Sequence, residues 1–165
     1  DRDERPRRLP GALSSGGTAT LTPEQLSFLE AGRVGHLATA DGAGAPHVVP
    51  VCYAATPTRV YIPVDEKPKR GDPVRLKRLR NIRANPSTAF VVDRYDDRDW
   101  TRLGWVMIRG TAQVIHPGAE HAAAIARLRD RYEQYRNMAL DDLPVISIHV
   151  DRVAEWGRIG PAPPS

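Results

Sequence analysis

Two short apolar runs, His47–Tyr53 and Arg59–Val64, constrain this chain more than any other feature. Both are dense in β-branched and aromatic residues, and only Ala54–Thr58 separates them. That composition predicts a β-hairpin. A cationic segment, Asp65–Pro73, follows, and then a basic helix, Val74–Asn85. Pro86 ends that helix, because the residue before a proline disfavours the α region. A strand pair that runs into a cationic loop and a helix start can hold an anion against backbone N–H groups and side-chain charge.

The flanking sequence supplies further strands. Thr22, Pro23 and Gln25 form a helix start, with Thr as cap, Pro in the first turn and Gln as the reciprocal partner. Leu26, Leu29 and Phe28 give this helix its buried side. Arg33–Ala40 alternates as a strand, with Arg33, Gly35, Leu37 and Thr39 on the face opposite Val34 and His36. Asp41-Gly42-Ala43-Gly44 reads as a turn with glycine free to take positive φ. Pro46–Tyr53 and Arg59–Val64 are the next two strands, and Ser87–Tyr95 is the fourth. After a polar loop, Asp96–Arg102, comes a long strand, Leu103–His116, with Gly104 and Gly110 as bend or bulge points. Pro117-Gly118 opens a helix to about Arg136. Ala122, Ile125, Leu128 and Tyr132 mark its apolar stripe, and Arg127, Arg129, Arg131 and Arg136 lie on a solvated face. Pro144–Trp156 is the last strand. The expectation is a mainly β (α+β) domain, a six-stranded barrel, closed or split, with about three flanking helices. It spans 21–160, between a flexible tail at 1–20, rich in Pro, Gly, Ser and charge, and a short tail at 161–165.

Several function classes drop out. No run of eighteen apolar residues occurs, so no membrane helix is expected. No apolar segment near the N-terminus reads as a secretory signal. Cys52 is the only cysteine, which rules out an intramolecular disulfide and fits a cytoplasmic location. The five histidines show no ligand spacing, so no metal site is expected. The net charge of +4 is modest, and part of it sits in Arg2, Arg5, Arg7 and Arg8. The strands lack the aromatic platform of single-strand binders, so no nucleic-acid partner is expected.

Taken in order, VGHLATADGAGAPHVVPVCY, TRVYIPVDEK, RLKRLRNIRANPSTAFVV and WVMIRGTAQVI resemble the pyridoxamine 5'-phosphate oxidase-like split β-barrel family. Within it the chain looks like the class B flavin/deazaflavin oxidoreductase branch, which binds coenzyme F420. The resemblance runs from Leu21 to Gly160, and its specific pieces are LATADGAGAPHVVPV and the pattern at Lys77–Pro86. It implies a homodimer with two cofactor sites at the subunit interface, a small-molecule substrate, and F420 or FMN as cofactor. In the family, the strand matching His47, Val48, Val49, Pro50, Val51 and Cys52 lies along the cofactor ring and ribityl chain. The strand end matching Ile62 and Pro63 borders the ring, and the basic pair matching Lys77 and Arg78 holds the phosphate. Trp105 matches a position that reaches the partner's cofactor, and Trp156 a C-terminal aromatic near the site.

The residues agree with these roles without the family. Arg78 offers a planar fork and Lys77 a point charge for a phosphate. Lys67, Lys69 and Arg70 add more cation than one phosphate needs, which suits the oligoglutamate tail of F420. Read alone, the pair and the loop fit a solvated surface as well. The functions left open are an F420-dependent oxidoreductase, an FMN-binding oxidase or reductase of the same fold, and a flavin- or F420-binding protein without turnover. Solvent or Tyr53 would supply a proton.

Overall fold

A computed structural model of the chain describes residues 17–65 and 76–161. Its elements are α1 (Pro23–Ala31), β1 (Gly35–Ala40), β2 (Pro46–Val51), β3 (Ala54–Ala55), β4 (Arg59–Pro63), α2 (Lys77–Ala84), β5 (Ser87–Arg94), β6 (Gly104–Ile115), α3 (Ala119–Arg131) and β7 (Val145–Gly157). Short 3-10 turns sit at Trp100–Arg102 and Glu133–Asn137. No described helix is long and apolar enough to cross a membrane.

The strands form one antiparallel sheet in the order β2-β1-β5-β6-β7-β4-β3. The two ends of that order, β2 and β3, are joined in the chain by Cys52 and Tyr53 alone. The sheet therefore has to curl until its ends meet, which gives a split barrel. The strand count is seven rather than the expected six, because the two-residue β3 forms its own pair with β4. The expected hairpin between the runs at 47–53 and 59–64 does not form. β2 pairs with β1, Gly35 opposite Val51 through Ala40 opposite Pro46, and β4 pairs with β7, Arg59 opposite His149 through Pro63 opposite Val145. A tight turn at Asp41 closes the β1–β2 pair. Asp41 Oδ1 accepts from the N–H groups of Ala43 and Ala45, both at 2.9 Å, and Gly44 takes φ 86°. That turn fixes the β1–β2 register locally.

The barrel interior holds Leu37, Val60, Ile62, Phe90, Ile108 and Ile148, all at 1% exposure or less. Helix α2 covers it with Leu79 and Ile82 and turns Arg80 outward. It begins at Lys77 rather than at position 74, and 74 and 75 lie outside the described residues. Helix α1 opens on the expected capping box, Thr22 and Gln25 bonding each other's backbone N–H at 3.1 and 2.9 Å. Such a cap is worth about 1 kcal/mol. Phe28 and Leu29 are its buried residues, while Leu26 is only partly covered. Gly35 is required sterically: a Cβ there would lie 2.4 Å from the Phe90 ring, which packs edge-on to Tyr53. The bulge expected at Gly110 is present as a register shift between Arg109 and Gly110.

Helix α3 and the turn after it make a second core with Tyr61 and Val145. Its buried residues are His121, Ala124, Ile125 and Leu128, so the expected Ala122 gives way to its neighbours in the stripe. His121 Nε2 donates to the Leu143 carbonyl at 2.6 Å, which lets a polar ring replace an apolar one. The solvated arginine face is also corrected. Arg131 donates to the carbonyls of Tyr53 at 2.9 Å, Glu30 at 2.8 Å and Gly32 at 2.6 Å. Its guanidinium carbon lies 4.9 Å from the Tyr53 ring centroid and 5.2 Å from that of Tyr132. One side chain thus ties the end of α1, the β2–β3 link and the end of α3.

The described chain starts inside the stretch read as a tail. Ala19 N–H donates to the Val150 carbonyl at 3.1 Å, and Leu21 is buried at 3% exposure.

Candidate functional site

The curl of the sheet leaves a cleft of about 170 Å³ where its ends approach. Pro50, Val51 and Cys52 form one wall, at the end of β2. Pro63 and Asp65 form the other, at the end of β4, and Val34 sits at the mouth. Arg78 and Tyr135 complete the lining, from α2 and from the turn after α3. The walls are apolar except for Asp65, and the two side chains of α2 and the turn are hydrogen-bond donors.

Arg78 is the unusual member. It is only 9% exposed, yet its Nε is buried and has no hydrogen-bond partner among the described residues. Burial pulls its pKa below the usual arginine range, opposed first by the charge of Asp65 and then by Tyr135. Arginine stays protonated regardless, so a cation with unfilled donor capacity faces the cleft. Leaving a buried donor unmet costs about 1–3 kcal/mol, more when charged, and such sites in native proteins call for a ligand or a function. The start of α2 adds to this, because its cap residue is Leu76 and makes no side-chain hydrogen bond. A helix start without a side-chain cap favours an anion.

A second buried orphan atom among the described residues is His47 Nδ1. His47 stands opposite Thr39 in the β1–β2 register, and directly opposed residues share a face. Asn81 Nδ2 donates to the Thr39 hydroxyl at 3.1 Å, so that face is the one α2 covers. Arg78 and Asn81 are one turn apart on the buried side of α2.

Tyr135 is 5% exposed. Burial first, and then the adjacent Cys52 thiol, push its phenol well above the ordinary tyrosine pKa, so it holds its proton. The 3-10 turn that carries it is braced by Arg129. Arg129 Nε donates to the Tyr135 carbonyl at 3.2 Å and Nη2 to that of Met138 at 3.1 Å. The same guanidinium pairs with both oxygens of Asp141, at 3.1 and 2.9 Å.

The residues nominated from sequence divide accordingly. Pro50, Val51, Cys52, Pro63 and Arg78 come together in the cleft. His47 and Val49 point inward from β2, while Val48 projects outward at 64% exposure. Ile62 is core at 1% exposure, one residue from the wall. Lys77 is exposed on the outer side of α2. Trp105 and Trp156 stand opposite each other on β6 and β7 and are not in the cleft lining, with Trp156 at 54% exposure. Lys67, Lys69 and Arg70 lie outside the described residues. Tyr53, considered as a proton source, is fully buried in the core and donates its hydroxyl to the Leu29 carbonyl. Tyr135 and Asp65 were not singled out, and nothing local in YEQYRN separates Tyr135 from Tyr132. Among the described residues no three His, Cys, Asp or Glu side chains gather to hold a metal ion.

Against known proteins, residues 21–157 match the family model described as pyridoxamine 5'-phosphate oxidase. A 5a,11a-dehydrotetracycline/5a,11a-dehydrooxytetracycline reductase of Streptomyces rimosus is 32% identical over 140 residues, which is 85% of this chain and 85% of the relative. Among solved structures, a conserved hypothetical protein of Mycobacterium tuberculosis is 18% identical with a TM-score of 0.66, over 86% of this chain and 88% of its own. A heme binding protein of Mycobacterium smegmatis is 23% identical with a TM-score of 0.65, over 81% of this chain and 52% of its own. At those identities the two structures speak to the fold alone.

Proposed function

This chain belongs to the pyridoxamine 5'-phosphate oxidase family, and from that premise we propose that it is a reductase that binds coenzyme F420 and acts on a small organic acceptor. The observation that carries the reading is Arg78, a buried cation with an unmet donor among the described residues, lining a cleft whose other walls are mostly apolar. A phosphate on a flat apolar ring system fits both features. When bound, such a deazaflavin supplies the hydride. In the chain itself Arg78 would hold the phosphate, Pro50–Cys52 would line the ring and ribityl chain, and Pro63 would help exclude water. The reductase relative from Streptomyces rimosus supports reduction as the direction of chemistry. Preference for F420 over FMN rests on the sequence, which places Lys67, Lys69 and Arg70 between Asp65 and α2.

The test is a titration with both cofactors at low and high salt. Replacing Lys67, Lys69 and Arg70 together by Ala should weaken F420 binding severalfold and leave FMN nearly unchanged, since exposed pairs contribute about 0–1 kcal/mol each and are screened by salt. Equal loss for both cofactors would reject the F420 preference. Tight FMN with no F420 affinity would replace it by the flavin reading.

The working form in this proposal is a homodimer. Val34, Val48 and Trp156 are 50%, 64% and 54% exposed, large apolar groups that a second copy would cover. Light scattering at micromolar concentration should return twice the chain mass, and a monomer there would count against it.

A further inference from the structure

We infer that Tyr135 is a second ligand of the anion held by Arg78, a neutral donor that completes the cation's site; this rests on the reading of the cleft as a phosphate site. Three observations carry it. Tyr135 and Arg78 line the same cleft, from elements far apart in the chain, and both are more than nine-tenths buried. Both are donors, and among the described residues neither is matched to a strong acceptor. The Arg78 Nε has none, and the neighbour of the Tyr135 hydroxyl is the Cys52 thiol, a weak acceptor. The phenol is also held in place. Arg129 grips the backbone of its turn, and its ring packs edge-on to Tyr132 at a centroid distance of 5.4 Å. A rigid donor loses little entropy on accepting a ligand.

The chemistry of the pair is specific. Arg78 supplies charge and Tyr135 a directed O–H, so a tetrahedral oxyanion can be met on two sides. Asp65 also lines the cleft, and its charge acts on both Arg78 and Tyr135. Because burial keeps the phenol protonated, Tyr135 stays a donor at any pH at which the protein is folded near neutrality.

Cys52 gives the experiment its readout, since it lies in the same cleft and is the only cysteine. Inorganic phosphate is titrated against the rate of Cys52 alkylation in the full chain, in wild type, Tyr135→Phe and Arg78→Gln. Phenylalanine keeps the ring and its contact with Tyr132, and an unchanged melting temperature verifies that the variant folds. Midpoints are compared rather than rates, so that a change in thiol access does not enter. Wild type should be protected, Arg78→Gln should not be, and Tyr135→Phe should need roughly tenfold more phosphate, as expected for loss of one hydrogen bond to a charged group. Protection of Tyr135→Phe at the wild-type midpoint would overturn the inference while leaving the cleft as an anion site. Failure of phosphate to protect the wild type would overturn both readings.

Discussion

Replacing Arg78 by Met should weaken a phosphate-bearing cofactor by at least about thirtyfold and, at the same time, raise the melting temperature of the ligand-free protein. The two effects share one cause. A buried charge pays a desolvation cost, typically several kcal/mol per ion, and here the charge of Asp65 returns only part of it. Met fills similar volume with no donor to satisfy. A gain of about 1 kcal/mol or more is expected, which in a chain of this size is roughly 2–4 °C. Once the phosphate is in place the sign reverses, because truncating one partner of a buried, hydrogen-bonded charge pair costs about 2–5 kcal/mol. Cofactor titration and thermal melts with and without cofactor would show this crossing. A Met variant that melts lower than wild type without ligand, and binds cofactor normally, would make Arg78 a structural residue.

Arg131→Ala should be the most destabilising change outside the barrel core. Three backbone carbonyls, of Tyr53, Glu30 and Gly32, would lose a charged donor together. Two aromatic rings would also lose the cation stacked over them. Hydrogen bonds to charged groups are worth about 1.5–3 kcal/mol each and overlap when one side chain makes several. A loss of about 3–4 kcal/mol is expected, or roughly 6–16 °C in melting temperature. Lys at this position keeps the charge but not the planar fork, so it should fall between Ala and wild type. Arg127, exposed one turn earlier, is the control and should change stability by less than about 0.5 kcal/mol when cut to Ala. Urea unfolding of the four proteins decides it, and matching curves for the Arg131 and Arg127 variants would show that the clamp contributes nothing.

What the sequence made legible was local. The Thr22–Gln25 box, the Gly44 turn, the inward face of β1 and the bulge at Gly110 each depend on residues close in the chain, and each is present. Strand partners were not legible. β2 and β4 are similar apolar runs a short turn apart, and composition cannot say that β4 belongs beside β7, the last strand. The site divides in the same way. Arg78 was nominated as half of a basic pair, but only the helix phase separates it from Lys77, which faces solvent. Four arginines on and after α3 looked alike because charge patterning treats them alike. Arg131 differs by what the fold brings to it, the ends of α1 and β2. Tyr135 carried no signal, since its value lies in standing beside Cys52 and Arg78 after the barrel has curled.

The strand order has a consequence for how this chain emerges during synthesis. β2, β1, β5 and β6 are contiguous in the sheet and all precede β7 in the chain, so half the barrel can assemble as it is made. β4 has no such opportunity. Its neighbours are the two-residue β3 and β7, so it joins the sheet when the last strand arrives, after nearly the whole chain has been translated. Pairing at that sequence separation carries the largest loop-closure cost of any strand pair in the sheet. The Pro63 wall of the cleft is therefore the last part of the fold to be set, and a growing chain holds Arg78 before it holds a pocket to put it in.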